Sequence, residues 1–290
     1  MNEKIQFKQQ RELGGILSDT FKFLRHNGKQ LFGLVLLIAG PALLILVLAY
    51  VYYMQTVFGN FGSMAPNPIF TPGGFGLSMF LALLLLILAG VVFYALLYGT
   101  VLHFIESYIK NDGTVLKGEV TAGVRKNFWG LLGLSLLVAL MVGIGLVICF
   151  LPGIYLGVAL ACVYAIYVFE KRDVMDSISY SFELIKGEWW ITFATFLVIF
   201  LLYYFVLMIF QMPQYIYFFI KGFSMSQNMS SDPMEMFDWG YIVLSAIGII
   251  AQYLLFTIIV ISTAFVYYNL NERKNFTGTM EAIDSIGKKE

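Results

Sequence analysis

Six stretches of the chain run without a single Asp, Glu, Lys or Arg: roughly 31–54, 77–102, 129–150, 153–169, 190–210 and 240–268. About 20 apolar residues in a helix cross a hydrocarbon core of about 30 Å, so each run predicts one membrane-spanning helix. A charge at the centre of such a helix costs about 2.5–3.5 kcal/mol on insertion scales, which makes six clean runs a strong pattern. The runs are long and unalternating, unlike the alternating segments of about ten residues that build a membrane barrel. Shorter amphipathic pieces precede every second run. Ile16, Leu17, Thr20, Phe21, Phe23 and Leu24 form one helical face, Val120, Val124 and Phe128 a second, and Val174, Ile178, Phe182 and Ile185 a third, with Asp173 and Asp176 placed to cap its start. The predicted fold is therefore all-α, a polytopic membrane bundle of six transmembrane helices with amphipathic helices before spans 1, 3 and 5.

The first and third amphipathic pieces align. LSDTFKFLRHN and ISYSFELIKGE share Ser18/Ser179, Phe21/Phe182 and basic Arg25/Lys186. This reads as three parallel repeats about an axis normal to the membrane, each an amphipathic helix followed by a membrane hairpin. Together they make a single integral membrane domain over 1–290, with an amphipathic segment at 1–30, the bundle at 31–270 and a tail at 271–290.

Charge orients the spans. Of the 18 Lys and Arg residues, all but Lys221 fall on one side of the alternating runs. The positive-inside rule then places both termini, and the segments around Lys110–Lys126 and Lys171–Lys186, in the cytoplasm. Trp129, Trp189 and Trp190 start spans on that side and Trp239 starts one on the other, as interfacial indoles do. The N-terminal MNEKIQFKQQRELGG is polar, and no cleavable signal peptide is expected from it.

Only 12% of the residues are charged and 59% are hydrophobic, against about 25% charged in a soluble domain. Net charge is zero, which favours no nucleic-acid partner. Cys149 and Cys162 both sit in apolar runs, and neither a disulfide nor a metal site is indicated.

Residues 55–76 are rich in Gly and Pro and read as an irregular outer loop. Pro213 is expected to end span 5, and Leu151-Pro152 to form the tight turn joining spans 3 and 4. Those two spans must then be antiparallel neighbours. Gly153, Gly157, Ala161 and Ala165 on one, with Ser135, Ala139 and Gly143 on the other, form a small-residue seam suited to close packing, with a ligand groove as the alternative. Pro41 and the pair Gly143/Gly145 are places where a helix can loosen.

Candidate chemistry is sparse. His103 and Glu106, three apart at the end of span 2, share a helix face. Gln252 is the one deep amide, and with Thr257 it marks a polar path along span 6 whose alternative is interhelical hydrogen bonding. Arg25, Lys29, Arg125, Lys126 and Lys186 are placed for anionic headgroups. No Walker loop, HExxH or GxSxG occurs, so neither enzymatic activity nor a cofactor is expected. Asn228-Met229-Ser230 fits a glycosylation acceptor.

Three longer stretches carry a family likeness. RELGGILSDTFKFLRHN, LPGIYLGVALACVYAIYVFEK and SISYSFELIKGEWW resemble the bacterial membrane domain found fused to some glycerophosphodiester phosphodiesterases, and related stand-alone six-helix membrane proteins. In that pattern a Leu-Pro-Gly turn opens a span ending in Glu, here Glu170, and a Ser-x-x-Leu/Ile-x-Lys-Gly helix follows, here Ser181 to Gly187. The resemblance implies a bacterial inner (plasma) membrane and carries over no catalytic residue. The diesterase activity of fused relatives belongs to a separate soluble barrel, which the segment after span 6 is not expected to hold. The expected role is a non-enzymatic membrane module that interacts with lipid or with a membrane-protein partner. The alternatives are a transporter or channel for a small, weakly polar solute beside Gln252, and a lipid-modifying enzyme using His103 and Glu106.

Overall fold

A computed structural model describes residues 5–61, 75–227 and 237–287, and the Asn228-Met229-Ser230 triplet and most of the Gly/Pro-rich 55–76 stretch lie outside them. Among the described residues the chain forms ten helices and no strand: α1 (Leu13–Ile38), α2 (Gly40–Phe61), α3 (Phe75–Lys110), α4 (Lys117–Ile148), α5 (Phe150–Ala159), α6 (Val163–Phe169), α7 (Val174–Ile185), α8 (Trp189–Gln227), α9 (Trp239–Asn275) and α10 (Thr277–Gly287). Six stretches are long and apolar enough to cross a membrane: Gly40–Val57, Gly76–Lys110, Lys117–Ile148, Phe150–Phe169, Trp189–Ser224 and Trp239–Asn275. The protein is an all-α, multi-pass membrane protein. Leu44, Leu48, Phe80, Ile87, Phe205 and Phe219 lie exposed on these helices, an apolar surface that suits hydrocarbon and not water.

Several boundaries differ from the sequence reading, each for a local reason. The first run does not begin a span at residue 31. The helix of the amphipathic segment continues to Ile38, breaks at Ala39, and restarts as α2. Pro41 has no N–H to give the carbonyl of Leu37, so the ladder is interrupted there. The second amphipathic piece is continuous with its span in α4. The turn between the third and fourth spans is Cys149 alone, in extended conformation at φ −164° and ψ 142°. Leu151 and Pro152 belong to the first turn of α5, where a missing N–H leaves no bond unmade. The fourth span is split at Leu160–Cys162 by i→i+3 hydrogen bonds, Ala161 N–H to Val158 O at 3.1 Å and Val163 N–H to Leu160 O at 3.2 Å. Pro213 does not end its helix but lies inside α8. An apolar helix keeps its course past a proline because the alternative, unpaired backbone in lipid, costs more. Asp173 holds the N-cap position of α7, without a side-chain capping bond. Gly187, at φ 87°, makes the left-handed turn that closes α7 before α8 begins.

The three amphipathic pieces bury the same register. Ile16, Val120 and Ser177 are buried, as are Thr20, Val124 and Ser181 one helical turn later, and Leu31, Ser135 and Thr192 farther along. The close approach between α4 and α5 lies at Gly145 and Gly153. A Cβ on Gly145 would stand 3.0 Å from the Gly153 Cα, and one on Gly153 would run into Leu146. Ser135 and Ala165 are buried and Ala161 half-buried; Ala139 is exposed, and Gly143 and Gly157 have open space around them.

The chain divides into two compact units. The larger comprises Met1–Ala39, Tyr94–Leu202 and Thr257–Glu290; the smaller comprises Gly40–Phe93 and Tyr203–Phe256. In the smaller unit the Tyr203 hydroxyl donates to the Gln252 carbonyl at 3.0 Å, and Phe93 meets Tyr253 edge-on at 5.1 Å. There Asp238 caps α9, accepting the Tyr241 N–H at 3.1 Å and the Tyr217 hydroxyl, and pairing with Lys221 at 2.8 Å.

The core of the larger unit is aromatic, and the segment before α1 plugs into it. Phe7 stacks on Phe265 at 4.5 Å and meets Phe23 and Tyr108 edge-on, while the Ile5 N–H donates to the Tyr108 hydroxyl at 3.2 Å. The Arg11 guanidinium ties this strap down. It pairs with Asp19 at 2.8 Å, donates to the Phe7 carbonyl at 2.8 Å and to the Gln6 and Gln9 carbonyls, and lies over the Phe265 ring. Its own N–H donates to the Asn269 side chain at 2.8 Å. From the other end, buried Glu272 accepts from the Thr277 hydroxyl at 2.6 Å and from the Gly278 N–H, fixing α10 against the strap.

Candidate functional site

The polar groups of the larger unit converge where α3 ends, α4 begins and α6 runs into α7. His103 and Glu106 share a face of α3. His103 Nδ1 and Glu106 Oε2 are 2.8 Å apart, and His103 Nε2 lies 3.1 Å from Asn127 Nδ2. An amide nitrogen only donates, so Nε2 accepts there and Nδ1 carries the hydrogen given to Glu106. This network assigns one neutral tautomer to an imidazole that is only 6% exposed. The ring fits because α4 has no side chain opposite it: a Cβ on Gly123 would lie 2.7 Å from Nδ1. Seven residues on, Gly130 leaves the same kind of space to the Tyr167 hydroxyl.

A second carboxylate, Glu119, ties the start of α4 to the end of α3. Glu119 accepts from Ser107 Oγ at 2.9 Å and Asn111 Nδ2 at 2.8 Å, and pairs with Lys110 at 2.9 Å. Ser107 Oγ in turn accepts the Leu116 N–H at 3.1 Å, so the α3–α4 turn is locked from both sides. The turn itself uses left-handed backbone at Asp112 and Gly113.

These groups border a cavity of about 570 Å³, lined by His103, Glu106, Lys126, Asn127, Tyr167 and Lys171 among others. Lys126 is exposed and makes no ion pair among the described residues. Lys171 has one carboxylate near it, Glu106, at 3.8 Å. Arg172, by contrast, is held by Glu170 at 2.6 Å, a hydrogen bond that raises its pKa further. One turn beyond Lys126, Trp129 stands 77% exposed.

The other residues singled out in the sequence are elsewhere. Arg25, Lys29, Arg125 and Lys186 are all exposed, on α1, α4 and the end of α7. A shallow groove on α1 is lined by Ser18, Phe21, Lys22, Leu24 and Arg25. Gln252 and Thr257 line neither this groove nor the cavities at the end of α3. Thr257 is fully buried, with its hydroxyl unpaired among the described residues. Among the described residues, no group of three or more His, Cys, Asp or Glu is placed to hold a metal ion. Sequence reading found His103 and Glu106 but not Asn127 on α4, Tyr167 on α6 or Lys171 in the link between α6 and α7. The signal for Tyr167 was Gly130 on α4, a heptad after Gly123, where the Tyr167 ring enters as His103 does at Gly123.

The chain matches no protein-family model, no curated protein and no solved structure. His103 Nε2 is engaged by the Asn127 amide. The arrangement offers positive charge and hydrogen-bond donors to a visiting anion.

Proposed function

We propose that this is a non-enzymatic membrane module of a bacterial inner membrane that binds the phosphate of an anionic lipid headgroup at its cytoplasmic face. One observation carries the reading. Lys126 and Lys171 line the same cavity; of the three carboxylates on its wall, Glu106, Glu119 and Asp173, Glu119 is paired with Lys110, and among the described residues the carboxylate within 4 Å of either lysine is Glu106, 3.8 Å from Lys171. Trp129, one turn from Lys126, supplies the depth: indoles rest at the headgroup level, where lipid phosphates lie. Asn127 holds one amide hydrogen on His103 and has a second to give. The exposed cations Arg25, Lys29, Arg125 and Lys186 supply a broader attraction for the same leaflet, each worth about 1 kcal/mol near an anionic surface. The charge asymmetry along the chain supports cytoplasmic termini. The resemblance to the membrane domain of fused phosphodiesterases supports the bacterial setting, and a partner protein in the same membrane is consistent with it.

The test is lipid retention. Wild type and the Lys126→Gln/Lys171→Gln double variant are purified in mild detergent from the same membranes, and bound lipid is identified by native mass spectrometry. The reading predicts phosphatidylglycerol or another anionic phospholipid on the wild type, and an occupancy reduced about tenfold or more in the double variant. Equal occupancy in both contradicts it.

A further inference from the structure

The larger unit holds a second cavity, of about 480 Å³, bordered by α3, α6, α9, α10 and the strap before α1. It shares Glu106, Lys110 and Arg172 with the first but has a different chemistry. Its apolar wall is aromatic. Phe169 stacks on Tyr268 at 5.1 Å and leans on Tyr267 at 5.6 Å. Three carboxylates, Glu106, Glu170 and Glu281, stand around these rings.

The cations at this cavity are already paired. Lys8 is on Glu281, Lys110 on Glu119, and Arg172 on Glu170 while also lying 3.8 Å over the Tyr180 ring. Glu170 spends its other oxygen on the Tyr267 hydroxyl at 2.9 Å. What remains is acceptor capacity. Glu106 Oε1 has nothing closer than Lys171 at 3.8 Å. The Tyr268 side chain is 6% exposed, it lines the cavity, and its hydroxyl makes no hydrogen bond to any described residue. Each cavity has three carboxylates on its wall, but an anion here would meet, among the described residues, no unpaired cation to offset them. A cation would meet free acceptors and the faces of aromatic rings, which attract positive charge.

We propose that this cavity binds a protonated primary amine, its N–H groups directed to the Tyr268 hydroxyl oxygen and the Glu106 carboxylate and its carbon atoms against Phe169 and Tyr267. A primary ammonium fits better than a quaternary one, because the vacant acceptors call for N–H donors. The amine is either a small soluble one or the amino headgroup of a phospholipid. The proposal stands apart from phosphate binding in the first cavity, since its distinguishing residue is Tyr268.

The probes are ethanolamine and tetramethylammonium at neutral pH, read by saturation-transfer NMR and calorimetry on the full-length protein in detergent. Ethanolamine is expected to bind saturably, about tenfold more tightly than tetramethylammonium, and Tyr268→Phe is expected to weaken it by about tenfold while leaving the thermal transition in place. Competition then separates the sources. Displacement of ethanolamine in nanodiscs containing phosphatidylethanolamine, but not in phosphatidylglycerol alone, assigns the lipid headgroup; binding unchanged in both assigns a soluble amine. Absent binding, equal binding of the two probes, or a Tyr268→Phe protein that binds like wild type overturns the proposal. The Lys126→Gln/Lys171→Gln protein is expected to keep ethanolamine binding, so the two sites fail independently.

Discussion

His103 gives its Nδ1 hydrogen to Glu106 across 2.8 Å, with the ring lying flush against a helix that has a glycine at the facing position. The pair is a positioning device before it is anything else. It fixes the ring so that Nε2 meets Asn127 on α4 at 3.1 Å, which joins the end of α3 to α4. Gly123→Ala places a methyl group 2.7 Å from His103 Nδ1, so the ring must shift away from its hydrogen bonds to Glu106 and Asn127. A loss of about 1–3 kcal/mol is expected, read by chemical or thermal unfolding in detergent. Glu106→Gln keeps an acceptor for the Nδ1 hydrogen and should cost less than Glu106→Ala.

The contact between α4 and α5 rests on Gly145 and Gly153. Gly145→Ala and Gly153→Ala force a methyl into backbone or into Leu146 and are expected to destabilise by about 1–3 kcal/mol each. Gly143→Ala and Gly157→Ala have open space and should be neutral, or stabilising by up to about 1 kcal/mol through helix propensity. If all four behave alike in the same unfolding assay, small residues are not being used for close approach here.

Arg11 is the buried cation that fastens the strap before α1. Burial lowers its pKa, and the hydrogen bond it donates to Asp19 works against that. Arg11→Met leaves Asp19 and three backbone carbonyls without their donor and should cost about 3 kcal/mol. It should also raise hydrogen exchange at Ile5–Phe7 above that at the middle of α4.

Asp238 provides an acid-sensitive contact in the smaller unit. The hydrogen bond from Lys221, then those from Tyr217 and the Tyr241 N–H, hold its carboxyl at about 2, below the ordinary 3.8. A depressed carboxyl stabilises the fold above its unfolded value, and that contribution is lost as pH falls from near 3.8 through about 2. Asp238→Asn should therefore be less stable than wild type at pH 6, with the gap closing over that acidic window. A gap that stays constant down to pH 2 would mean the carboxylate charge contributes nothing.

How much of this could be read from sequence depended on range. The spans were legible because insertion depends on local composition, and the first two amphipathic faces because burial repeats with the helical period; the third was misplaced, since α7 buries Ser177, Ser181, Leu184 and Ile185 and leaves Val174, Ile178 and Phe182 half-buried. His103 and Glu106 were legible because three residues on a helix are neighbours. The break at Ala39 was signalled by Pro41, yet the unbroken apolar run masked it. Pro213 carried the opposite lesson, since lipid favours the helix that water would end. The strap was missed because Ile5 and Phe7 are isolated apolar residues in a polar stretch, and only Phe265 and Tyr108, far along the chain, give them a place to go. Asn127, Tyr167 and Lys171 were missed for the same reason.

The most direct test of phosphate binding is a photoreactive residue placed inside the first cavity, at Ala122, with Ala139 farther along the same helix as the comparison. After irradiation of intact membranes, a site that holds a lipid phosphate gives a phospholipid adduct at position 122 that is anionic in headgroup and disappears with Lys126→Gln/Lys171→Gln. An adduct at 122 no different in composition or yield from that at 139, or one indifferent to the two lysines, would contradict the account.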